Sequence, residues 1–145
     1  MKNSTVLLTA ITCLVAHANG ESKVILTRAG APLETAIPGD FKSLEAILPA
    51  LFTLADQATD KSAEQAFVGG RKDHKDLIYY YRGVRVENDI VFVSFAGGAM
   101  PYFSGSAGYD ATIMKALLGT VMLYEPTAKD VKLEIDGKLW KNEDA

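Results

Sequence analysis

Asp76-Leu77-Ile78-Tyr79-Tyr80-Tyr81-Arg82-Gly83-Val84-Arg85-Val86, then Glu87-Asn88-Asp89, then Ile90-Val91-Phe92-Val93-Ser94-Phe95: this run contains both halves of a β-hairpin. Its two arms are rich in aromatic and β-branched residues, which suit a pleated surface, and the polar tripeptide between them supplies the turn. The second arm is apolar on both faces, which predicts a strand central in its sheet. On the first arm Tyr79, Tyr81 and Arg85 fall on one face and Ile78, Tyr80, Val84 and Val86 on the other.

Upstream of the hairpin the hydrophobic period is close to four. Phe41, Leu44, Ile47, Leu48, Leu51, Phe52 and Ala55 recur at helical spacing after the turn Ile37-Pro38-Gly39-Asp40. This predicts a core-packing helix from Phe41 to Ala58 with Asp40 as its cap, bent at Pro49, where a backbone donor is lost. Before it, Lys23 to Arg28 reads as a short strand running into a loop at Gly30 and Pro32. After it, Ser62 to Phe67 reads as a short helical piece ended by Gly69-Gly70.

Downstream, Ala96 to Tyr109 is a glycine-rich loop. Asp110 caps a short helix through Ile113, Met114, Leu117 and Leu118, and Gly119 stops it. Thr120 to Tyr124 then reads as a strand. The final signal is the clearest local one: Val131, Leu133 and Ile135 alternate with polar residues, Asp136-Gly137 fits a two-residue turn, and Lys138-Leu139-Trp140 returns with Trp140 across from Leu133. The resulting fold class is α+β, an antiparallel sheet of about five to six strands with one long bent helix and one short helix packed on one face.

The first eighteen residues are of a different kind. Lys2 precedes an apolar run from Thr5 to Ala16, and Ala16-His17-Ala18 closes it, the pattern of a cleaved secretory signal peptide. A spanning helix needs roughly 20 apolar residues, and Asn19-Gly20-Glu21-Ser22-Lys23 arrives too early for one. Cys13 follows Ala10-Ile11-Thr12, a poor lipid-attachment context. The expectation is a signal peptide at 1–18 and one domain at 19–145, secreted or periplasmic, with no membrane span once the signal is removed.

Removing that segment takes away the only cysteine and His17 and leaves His74 as the one histidine. A disulfide within the chain, a thiolate nucleophile and a cysteine-based zinc site then drop out, and no cofactor is indicated. Losing Lys2 takes the formal charge from −3 to −4, against nucleic acid as a partner. The densest basic stretch, Arg71-Lys72-Asp73-His74-Lys75-Asp76, is broken by two aspartates. Those acids with His74 offer three adjacent potential metal ligands on a turn, without a rigid geometry.

Two places carry functional interest. The Tyr79, Tyr81 and Arg85 face has the composition of protein interfaces and of sugar-stacking surfaces. In the loop, Tyr102, Ser104, Ser106 and Tyr109 stand among glycines between a strand and a helix. Ser106 invites comparison with the Gly-x-Ser-x-Gly nucleophile elbow, but position 104 is serine, and neither a P-loop nor a dinucleotide fingerprint is present. The reading this supports is a small exported non-catalytic module binding a protein or small ligand through Tyr79, Tyr81, Arg85, Tyr102, Ser104, Ser106 and Tyr109. Its rivals are a hydrolase using Ser106, His74 or a carboxylate pair, and a structural subunit of an envelope assembly.

Overall fold

The computed structural model describes residues 20–69, 75–103 and 107–140, and of 107–111 the backbone alone. The fold is α+β. Among the described residues six strands form two sheets: β1 (Glu21–Arg28) pairs with β2 (Ala31–Pro38), and β3 (Tyr81–Glu87), β4 (Ile90–Phe95), β5 (Asp130–Ile135) and β6 (Lys138–Leu139) form a four-stranded sheet in that order. The described α-helices are α1 (Leu44–Leu54), the single turn α2 (Met100–Phe103) and α3 (Ala107–Tyr124).

All three antiparallel hairpins close in two residues with left-handed backbone: Ala29 and Gly30 at φ 51° and 82°, Asn88 and Asp89 at 52° and 65°, Asp136 and Gly137 at 53° and 79°. Such turns match the right-handed twist of the flanking strands. The turn at Asp136-Gly137 agrees with the sequence reading, as does Trp140, whose N–H donates to Leu133 O at 2.9 Å, while the expected turn Glu87-Asn88-Asp89 is shorter by Glu87, which ends β3 opposite Ile90. The first hairpin is a correction: β2 occupies what reads as a loop. Its two prolines mislead, because Pro32 and Pro38 pair with Thr27 and Glu21, positions of this register at which no ladder donor is needed.

Other expectations are corrected as well. The single antiparallel sheet is two sheets, and β4 runs parallel to β5. Helix α1 begins at Leu44, capped by Ser43, whose Oγ accepts from Ala46 N–H at 3.2 Å, and passes through Pro49 before a 3-10 turn at Ala55–Gln57. Residues 62–67 form no helix. The first arm of the central hairpin begins with a 3-10 turn, Leu77–Tyr80, and becomes a strand only at Tyr81. The glycine-rich segment is partly helical, with a 3-10 turn at Gly97–Ala99 leading into α2.

The largest correction concerns α3. It is the longest helix of the protein's described residues and runs unbroken to Tyr124, so Gly119 does not stop it and Thr120 to Tyr124 is not a strand. Packing supplies the reason. A Cβ on Gly119 would lie 2.7 Å from Ile25 Cβ on β1, so the glycine permits close approach of helix to strand. One residue on, the fully buried Thr120 hydroxyl accepts from Ile25 N–H at 2.9 Å and donates to Ile25 O at 3.3 Å. Tyr124 Oη donates to Lys23 O at 2.9 Å. A helix therefore covers the outer edge of β1, doing for it what a neighbouring strand would do.

One core joins both sheets. Val24, Leu26 and Ile37 of the hairpin, Ile47, Leu48 and Leu51 of α1, Val91, Val93 and Phe95 of β4, and Ile113, Leu117 and Val121 of α3 are all fully or almost fully buried. A chain of ring contacts runs through it from Phe67 to Phe52, Phe95, Phe103 and Trp140, with centroids 5.1 to 6.0 Å apart, edge-to-face and tilted geometries that aromatic pairs prefer.

Candidate functional site

Register across the four-stranded sheet separates its two faces. Val84, Val93 and Leu133 form one row, and Tyr81, Phe95 and Ile135 another, both on the core side. The opposite face carries Glu87, Ile90 and Asp130, then Arg85, Phe92 and Lys132, then Gly83, Ser94, Glu134 and Leu139. None of these ten is fully buried, so this is the open side of the sheet.

Arg85 organises that side. Its two terminal nitrogens donate to the two oxygens of Glu134 at 2.5 and 3.0 Å, its Nε donates to Glu87 at 2.8 Å, and its guanidinium lies 4.3 Å from the Phe92 ring centre. Ser94 Oγ donates to Glu134 at 2.9 Å. The bonds from Arg85 and Ser94 hold the Glu134 carboxyl below its ordinary range, and those from Glu134 and Glu87 keep Arg85 charged. A carboxylate held ionised is a poor general acid near neutral pH. The cluster clamps β3, β4 and β5 together.

At the end of the four-stranded sheet, beyond the last residues of the parallel strands β4 and β5, lies an open depression of about 390 Å³, lined in part by Ile135 of the core side. Asp136 fixes its floor: its Oδ1 accepts from Gly97 N–H at 2.8 Å and its N–H donates to Phe95 O at 3.0 Å, pinning the turn after β5 to the end of β4. Met100, Leu139 and Trp140 give apolar walls, with Lys138 at the rim. Met100 is 39% exposed and Leu139 44%, and Trp140 is half-buried. The carboxyl ends of parallel strands are where loops converge to hold ligands in α/β sheets.

Among the described residues singled out in the sequence, Tyr79, Tyr81 and Arg85 do not form one surface. Tyr79 is 58% exposed on the 3-10 turn, with Lys75 Nζ 4.5 Å from its ring centre and Tyr80 edge-on to it. Tyr81 faces the core against Phe52 and Phe95, and burial, then nearby Glu45, pushes its hydroxyl up to about 12. Arg85 is on the open side, so the shared face of Tyr79, Tyr81 and Arg85 is not formed. The cause is the turn before β3 and the register shift between Tyr81 and Gly83, each of which breaks the alternation on which that grouping rests.

Tyr102 is buried and its hydroxyl donates to Lys75 O at 2.7 Å, tying α2 to the segment ahead of the hairpin. Ser104, Ser106, Asp73 and His74 lie outside the described residues, as does the side chain of Tyr109. Asp76 accepts from Gly69 N–H at 2.8 Å. Among the described residues no three His, Cys, Asp or Glu side chains converge on a point, and no helix is long and apolar enough to cross a membrane. Leu139 and Glu134 were missed as surface residues because alternation names a strand's two faces without saying which one the core takes.

No protein-family model matches the chain, and no curated protein and no solved structure matches it either.

Proposed function

We propose that this protein is an exported, non-catalytic binding module, secreted or periplasmic, that holds a protein segment or a small ligand at the Trp140 end of its four-stranded sheet. The observation that carries this reading is the gathering of Met100, Leu139 and Trp140 around one depression, with Asp136 and Lys138 beside them. Apolar and aromatic walls with a few polar groups are the usual composition of ligand sites and of the centres of protein interfaces. Tyr79, on the turn that enters the same end of the sheet, adds a large exposed ring with a cation over it. The leader-like residues 1–18 support export.

Trp140 is the only tryptophan of the chain, so binding in the depression changes the intrinsic emission. Incubating the protein with the exported fraction of its source and following both capture and Trp140 emission tests the proposal. Leu139→Asp combined with Tyr79→Ala abolishes capture while leaving the unfolding midpoint near the parent value. Unchanged capture by that folded variant sinks this surface as the binding site.

A further inference from the structure

The strand edges of this molecule are treated unequally. On the outer side of β1, Ile25 and Lys23 are occupied by Thr120 and Tyr124, and Thr27 O accepts from Glu64 N–H at 2.8 Å. The outer side of β2 carries Pro32 and Pro38, which have no donor, Ala36, whose N–H and O both bond to Thr59, and between them Glu34 as a single outward residue flanked by these interruptions. Strand β6 is two residues long. Strand β3 is different. Its register with β4 turns the backbone groups of Val84 and Val86 outward, and they have no hydrogen-bond partner among the described residues. The Val86 side chain is 46% exposed. Such an edge is a template for another strand.

We propose that the β3 edge pairs antiparallel with the β3 edge of a second copy of this chain, about a two-fold axis at Val86. Charge selects both the occupant and the register. Arg85 and Glu87 flank Val86 and share the open face, so pairing centred on Val86 sets Arg85 of each copy across from Glu87 of the other. Opposite charges directly across a ladder are stabilising and like charges are not. Centring on Arg85 would oppose two guanidinium groups. Centring on Val84 would place Arg85 against Gly83 and run the ladder into the irregularity between Tyr81 and Gly83. The Val86 register joins the outward N–H and C=O of the two Val86 residues reciprocally and covers each exposed valine with the other. Arg85 keeps its grip on Glu134 throughout, because that contact uses its terminal nitrogens and lies within one copy.

One short strand edge buries less than the ~1,200 Å² of stable complexes, so the dimer is weak and concentration-dependent. Sedimentation equilibrium of the full chain over a concentration series up to about 1 mM reads it directly, with the average mass climbing toward that of a dimer. Val86→Lys puts like charges at the axis and weakens association by roughly tenfold or more. Arg85→Glu and Glu87→Lys are each monomeric alone, and mixing the two restores opposite charges at both cross-strand positions and brings the dimer back. A parent chain that stays monomeric, a dimer indifferent to Val86→Lys, or a mixture of folded charge variants that stays monomeric overturns the proposal. Should Arg85→Glu fail to fold beside Glu134, the Val86→Lys comparison still decides. Leu139 and Trp140 are untouched in every arm, so this outcome and that of the binding test are read separately.

Discussion

Thr120 does the work of a strand with one hydroxyl. By accepting from Ile25 N–H and donating to Ile25 O, it satisfies two backbone groups at a point where the hairpin meets a helix instead of water. A buried amide left without a partner costs about 1 to 3 kcal/mol. Thr120→Val keeps the shape and removes the hydroxyl, so it should lower the stability measured by urea unfolding by about 2 kcal/mol. Thr120→Ser keeps the hydroxyl and loses a methyl group, and should cost about 1 kcal/mol or less. Equal midpoints for Thr120→Val and the parent would show that the pair contributes nothing. Gly119 belongs to the same contact: its missing side chain lets the Thr120 hydroxyl reach the strand.

At the scale of elements, the β1–β2 hairpin and the β3–β4 hairpin have similar turns and opposite fates. The first has α3 along one edge, and its other edge is broken by Pro32 and Pro38 and met by Thr59 at Ala36, while the second keeps β3 as an open boundary. Amide hydrogen exchange in dilute solution separates them. Ile25 and Val84 both point away from their hairpin partners, yet the Ile25 amide should exchange slowly, with the core, and the Val84 amide rapidly, as an edge group in water does. Similar rates for the two would contradict the role assigned to α3. The α3 crossover also has to place β5 beside β4 in parallel, a connection too long for a tight turn. That placement brings the turn at Asp136-Gly137 next to Gly97 and so creates the Trp140 depression.

For the whole molecule, stability should fall at both ends of the pH range. Glu134 titrates below its ordinary 4.5 because Arg85 and then Ser94 bond its charged form. As pH drops below that value, the unfolded chain takes up the proton first; the contribution is complete above it and lost through the lower, folded value. Asp60, bonded by Ser62, adds to the same limb. Tyr81 is the reverse case. Its raised value keeps the folded hydroxyl protonated while the unfolded one ionises near 10, so its contribution is complete below pH 10 and lost toward about 12. Urea midpoints from about pH 3 to about 12 should flatten on the acid side in Glu134→Gln and on the alkaline side in Tyr81→Phe; unaltered limbs would remove these groups from the account. What the residues specify locally was legible: the turn within Glu87-Asn88-Asp89, the turn at Asp136-Gly137, the helical face from Leu44 to Ala55, the strand alternation from Val131 to Ile135, and the α+β class. These follow from backbone sterics and hydrophobic period, which act over a few neighbours. Tertiary structure alone divided six strands between two sheets, turned Thr120 to Tyr124 into helix, set Tyr81 and Arg85 on opposite faces and gathered Met100, Leu139 and Trp140 at one depression. Each of those depends on which distant surface covers a segment, as Ile25 does for Gly119, and a short apolar stretch has the same local pattern whichever surface it meets.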